Sequence, residues 1–113
     1  MERSTERIAR EASQILNRVN IQPEAYAEAD RAAAWYESQR ADLGVEFILE
    51  LDVAIERAAE NPEIYAVQYR EVRRVLLRRF PYAVYFVYEA GVLEVFAILH
   101  QHQDPSTWQS RAP

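Results

Sequence analysis

Two groups of residues in this sequence could do chemistry. The first is Arg70, Arg73, Arg74, Arg78 and Arg79, which fall within one ten-residue stretch that holds a single acid, Glu71. Arginine keeps its charge and presents a planar fork to phosphate or carboxylate. Several on one strand could hold an RNA backbone, stabilise a phosphorane or dock an acidic partner. The plainer reading pairs some of them with acidic helix residues and leaves the others as a solvated face. The second group is His100 and His102, two residues apart where an apolar run ends. A neutral imidazole can take the proton of a ribose 2′-OH, and a protonated one can donate to the leaving 5′ oxygen. The plainer reading of His100 is a capping side chain at a strand end. With only Asp104 nearby, two histidines are too few for a metal centre, so neither a metal nor a cofactor is expected. The chain has no Cys, which removes disulfides and thiolate ligands, and no Lys, which removes a common general acid or base.

These groups sit in the stretch Arg70–Trp108, around which the chain is organised. Val, Leu, Phe and Tyr fill it in runs of strand length, broken at Phe80-Pro81 and at Glu89-Ala90-Gly91, where Gly suits a tight turn. Three consecutive antiparallel strands are expected, over 70–79, 82–88 and 92–100, with Asp104-Pro105 and Trp108 forming a short terminal turn. The 82–88 run is apolar on both faces, as a central strand should be. In 70–79 arginines occur on both faces, so the alternation does not decide which way they point.

Upstream, the pattern is helical. Val19–Gln22 alternates like a short first strand, and Pro23 suits the first turn of a helix running to about Arg40, with Tyr26, Ala29, Ala33 and Tyr36 on one stripe and Trp35 beside it. After a turn at 41–44, a second helix to Glu60 carries Phe47, Ile48, Leu51, Ile55 and Ala59 and stops at Asn61-Pro62. Residues 63–69 read as an irregular connection anchored by Ile64 and Tyr65. Ile8, Ala12, Ile15, Leu16 and Val19 predict an amphipathic helix over 1–18, which packs on the domain, occupies the place of a partner helix or forms a homodimer contact.

The net charge of −5 conceals an asymmetry. Residues 1–69 hold seven Arg and fourteen acids, whereas 70–113 hold six Arg and four acids. The helices are therefore acidic and the sheet basic. The acidic total argues against non-specific nucleic-acid binding, while the arginine stretch would attract phosphate or an acidic partner. No run approaches the ~18 apolar residues of a membrane helix, and no signal-peptide pattern opens the chain. A soluble, cytoplasmic protein is expected.

The strings Val72–Tyr85, Val95–His100 and Asp104-Pro105 resemble the RelE/ParE superfamily, the toxins of type II toxin–antitoxin modules, often called plasmid stabilisation proteins. The resemblance runs from about Val19 and covers most of the chain. It implies an α+β fold in which a helical hairpin packs on a small antiparallel β-sheet, here with residues 1–18 as an added N-terminal helix and 19–113 as the toxin domain. It also implies growth inhibition and a cognate antitoxin.

Ribosome-dependent RNases of the RelE type place an Arg after the Tyr that opens the central strand, where this chain has Ala83 after Tyr82. Arg74 matches one basic position of the preceding strand, the second falls at Leu76, a further Arg corresponds to Gln103, and the aromatic hydroxyl of the tail is replaced by Trp108. ParE-like members lack that set and act by trapping DNA gyrase. The expectation is thus a non-enzymatic, gyrase-directed toxin, with Arg70, Arg73, Arg74, Arg78 and Arg79 as the partner- or phosphate-binding set. The alternative is an mRNA endoribonuclease acting at the ribosome through His100, His102 and Arg74. A third reading is a non-toxic binding module.

Overall fold

The computed structural model describes residues 19–113; the helix expected over 1–18 lies outside the described residues. The elements run β1 (Val19–Ile21), α1 (Pro23–Gln39), α2 (Leu43–Glu60), a 3₁₀ turn (Pro62–Ile64), β2 (Val67–Tyr69), β3 (Val72–Leu76), β4 (Tyr82–Glu89), β5 (Val92–His100) and α3 (Pro105–Gln109). The α+β architecture is the expected one, a helical hairpin on one face of a sheet.

The five strands are ordered β1-β5-β4-β3-β2. All neighbours are antiparallel except β1, which lies parallel to β5 with Val19 opposite Leu93, so the sheet is mixed. The β4–β5 turn places Ala90 at φ 53° and Gly91 at φ 80°. Two consecutive positive φ values match the right-handed twist of the strands it joins.

The helical hairpin is tight because of two residues. A Cβ at Gly44 would lie 2.5 Å from the Ala33 carbonyl oxygen, so only glycine lets α2 start this close to α1. The Glu37 carboxylate then accepts from the backbone N–H groups of Asp42 and Gly44, both at 2.9 Å, and satisfies donors left free at the start of α2. Ala25, Ala29 and Ala32 are buried along α1, and Phe47, Leu51, Ala54, Ile55 and Ala58 along α2. They pack on Val75, Val84, Phe86, Val95 and Ile98 of the sheet. At one end Tyr36, Phe47, Phe80 and Tyr82 form an aromatic nest; the Phe47 ring centroid lies 5.3 Å from that of Phe80 and 5.2 Å from that of Tyr82.

The opposite face of the sheet is covered by α3. Trp108 is buried against Val72, Ala83, Tyr85, Phe96 and Ala97 and stacks on Tyr85 at 4.5 Å. Asp104 opens this short helix by accepting from Ser106 N–H at 2.9 Å.

Several local expectations change. The core stripe of α1 is Ala25-Ala29-Ala32 rather than the stripe through Tyr26; Tyr26 and Trp35 are 57% and 58% exposed, because small alanines are what allow the helix to approach the sheet. Ile64 is exposed and only Tyr65 packs on the core. Residues 67–69 are not irregular but form an edge strand. Their pairing with β3 depends on a turn at Arg70, φ 54°, with no Gly or Asn to signal it. Finally, β3 is half the expected length. The N–H groups of Arg78 and Arg79 turn away from the ladder and donate to the Glu50 carboxylate of α2, the second at 2.6 Å.

Candidate functional site

The five arginines do not form one surface. Arg73 points to the helix side and donates from Nη1 to the Tyr65 and Glu63 carbonyl oxygens, at 2.6 and 3.2 Å, so it ties the connection after α2 to the sheet. Arg79 donates to Glu46 at 2.7 Å, and Arg40 reaches the same carboxylate at 3.4 Å. The hydrogen bond from Arg79, with a second from Arg40, holds the Glu46 carboxyl below the usual carboxylate range, and Glu46 in turn raises the Arg79 guanidinium. Arg79 thus joins the basic stretch to the acidic hairpin, and Arg73 joins it to the connection that follows.

Arg70, Arg74 and Arg78 make no ion pair among the described residues. Arg70 sits in the β2–β3 turn with its guanidinium 5.0 Å from the centre of the Tyr69 ring, a cation–π contact. Arg74 lies on the α3 side of the sheet, its Nη1 3.5 Å from the Tyr85 hydroxyl. Arg78 is exposed in the β3–β4 connection. Arg70 and Arg74 stand beside Tyr69 and Tyr85 of the buried α3-side cluster, and their guanidinium groups are able to take an acidic side chain or a phosphate.

The histidines occupy the other side. His100 pairs with Tyr82 across β4–β5, and their rings lie 5.6 Å apart. Tyr82 in turn packs on Phe47 and Tyr36 in the helix-side nest. Two residues earlier in β5, Ile98 belongs to the helix-side core, in keeping with the alternation of a strand. His100 and His102 are neighbours, ring centroids 5.4 Å apart, and His100 Nδ1 accepts from the His102 backbone N–H at 3.1 Å. His100 Nδ1 is thus engaged by the backbone, and Nε2 is the ring nitrogen left for other partners. The structure therefore brings His100 and His102 together and sets Arg74 on the opposite face of the sheet.

One constellation was missed by sequence reasoning. Beyond β1, the edge of β5 is open from Phe96 onward. Glu28 of α1 fills the gap, accepting from Ile98 N–H at 2.9 Å. Arg111 reaches across to pair with Glu28 at 2.8 Å, approaches Glu24 at 3.2 Å and donates to the Phe96 carbonyl oxygen. Glu28 raises the Arg111 guanidinium above its ordinary range. The clamp satisfies strand-edge groups that would otherwise template another strand. It joins positions 83 apart in sequence, and Glu28 looks like any surface acid of a helix. A recess of about 610 Å³ adjoins it, lined in part by Gln22, Val87, Glu94 and Phe96. Among the described residues no helix is long and apolar enough to cross a membrane.

Comparison with known proteins adds to this geometry. Residues 19–105 match the family described as the ParE toxin of the type II toxin–antitoxin system parDE. The fold is similar to that of a chain from the chromosomal ParDE TA system of P. aeruginosa, with a TM-score of 0.64 and 14% identity, over 73% of this chain and 92% of that one. At that identity the likeness concerns the fold. No curated protein sequence matches the chain.

Proposed function

The chain belongs to the ParE toxin family of type II toxin–antitoxin systems, and on that premise we propose that it is a growth-inhibiting toxin of the cytoplasm that binds DNA gyrase without catalysing a reaction and is silenced by a cognate antitoxin. The observation that carries the non-enzymatic reading is the separation of Arg74 from His100 and His102 by the thickness of the sheet. General acid–base cleavage of RNA needs its proton carriers within hydrogen-bond reach of a phosphate that is held at the same time by cations. In this reading Arg70, Arg74 and Arg78 meet an acidic partner surface, while Arg73 and Arg79 hold the strand and its loop in place.

Two experiments test the proposal together. Induced expression in a bacterial host, with DNA, RNA and protein synthesis followed separately by pulse labelling, should show DNA synthesis falling first. Purified protein should then inhibit supercoiling by gyrase, and the change His100→Ala with His102→Ala should leave both effects unchanged. Prompt loss of translation with cut mRNA, abolished by the double substitution, would establish the endoribonuclease instead. An absence of any growth effect would identify a non-toxic binding module.

A further inference from the structure

One flank of α1 turns toward the end of β5 and the start of α3. Glu28, Arg31, Ala32 and Trp35 recur at the spacing of a single helical face. Together with Tyr82, His100, Gln103 and Thr107 they line a recess of about 450 Å³, a volume that suits one small molecule. Part of its wall is aromatic. Trp35 is 58% exposed, and its T-shaped contact with Tyr36, at 5.1 Å, takes at most one face of the indole. Tyr82 is half-buried, with its ring beside that of His100.

The polar groups of the recess are left for a ligand. Arg31 makes no ion pair among the described residues. His100 Nδ1 is taken by the His102 backbone N–H, so Nε2 remains. Gln103 and Thr107 are held through backbone atoms, Gln103 N–H donating to the His100 carbonyl oxygen at 3.0 Å and Thr107 N–H to that of Asp104 at 2.9 Å, and their amide and hydroxyl groups have no partner among the described residues. The Glu28 carboxylate in the lining is already engaged, by Ile98 N–H and by Arg111. The recess therefore sets a guanidinium that none of its carboxylates neutralises beside an open indole face. A nucleobase stacks on an exposed indole through its π-face, and a phosphate takes charge-assisted hydrogen bonds from a guanidinium.

We propose that this recess binds a nucleoside monophosphate, with the base against Trp35, the phosphate on Arg31, and His100 Nε2, Gln103 and Thr107 supplying hydrogen bonds to the base or sugar. It is a binding site, and no bond is made or broken in it. A free nucleotide and the terminal nucleotide of a single strand present the same groups. The inference does not depend on the gyrase reading.

Titration of the isotope-labelled full chain, followed by NMR, tests this with adenosine monophosphate, adenosine and inorganic phosphate as probes. The monophosphate should shift the Trp35 indole N–H resonance together with the amides of Arg31, His100 and Gln103, and leave the indole of Trp108, buried on the other face of the sheet, in place. Adenosine and phosphate should each bind about tenfold or more weakly. At exposed positions of α1, Trp35→Ala should weaken the monophosphate about tenfold, and Arg31→Gln should reduce it to the affinity of adenosine while adenosine itself is unchanged. No shift at millimolar monophosphate would overturn the inference. Phosphate that binds as tightly as the monophosphate would overturn it in favour of a bare anion contact, and shifts that survive both substitutions would overturn it by placing the ligand elsewhere. A short 5′-phosphorylated single strand that moves the same resonances about tenfold more tightly than the monophosphate would assign the site to a strand end; equal or weaker binding would assign it to the free nucleotide.

Discussion

Trp108 is the residue through which α3 seals the second face of the sheet, and Trp108→Ala is the perturbation with the most to reveal. The side chain is 5% exposed, stacks on Tyr85 at an interplanar angle of 22° and meets the edge of Tyr69 at 6.0 Å. An enclosed tryptophan buries about 150–250 Å², which at about 25 cal/mol per Å² corresponds to roughly 4–6 kcal/mol as an upper bound. Truncations of this kind measure about 3–5 kcal/mol. Because α3 is only five residues long, it can peel away instead of leaving a cavity, so we expect the lower end, about 3 kcal/mol. Urea unfolding is the assay, with the fluorescence of Trp35 as probe; that residue is exposed on α1 and remains in the variant. With m near the small-domain range the midpoint should fall by about 1–3 M. A loss under about 1 kcal/mol at unchanged m would refute the argument, because it would mean that Trp108 is not part of the cooperative core.

Other expectations follow from the same contacts. A double-mutant cycle of Glu28→Gln and Arg111→Met should give a coupling of about 1–3 kcal/mol in urea unfolding, since both partners are largely shielded and share the β5 edge; additive effects would dissolve the clamp. Gly44→Ala should destabilise by about 1–2 kcal/mol despite the better helix propensity of alanine, because the new methyl meets the fixed Ala33 carbonyl; a rise in midpoint would contradict this. Glu46→Gln should lower the thermal midpoint at neutral pH and low salt. The folded-state pKa of Glu46 is depressed by Arg79 and Arg40, so its contribution is present above the unfolded carboxylate pKa and is lost as pH falls through the folded value. The gap between the two proteins should therefore close below about pH 4 and shrink with added salt; a gap independent of both would exclude the ion pair as its cause.

Most of the elements and their order were legible in the chain itself, with the edge strand β2 as the exception. Pro23 starts α1, Asn61-Pro62 stops α2, Gly91 turns β4 into β5, and the doubly apolar run of β4 puts it inside the sheet. These signals are local, since capping, turn geometry and alternation act over a few residues. Local pattern could not say that Arg73 would face the helices and Arg74 the opposite side, because arginines occupied both faces of the strand. Nor could it say that Glu50 would draw Arg78 and Arg79 out of the ladder, or that Glu28 and Arg111 would close the edge of β5. Those outcomes depend on carboxylates that approach from distant elements only after the hairpin has docked. The division of the arginine and histidine candidates between two faces of one sheet is therefore a decision of tertiary structure: a strand presents its residues alternately, and only the docked helices and α3 decide which side each residue meets.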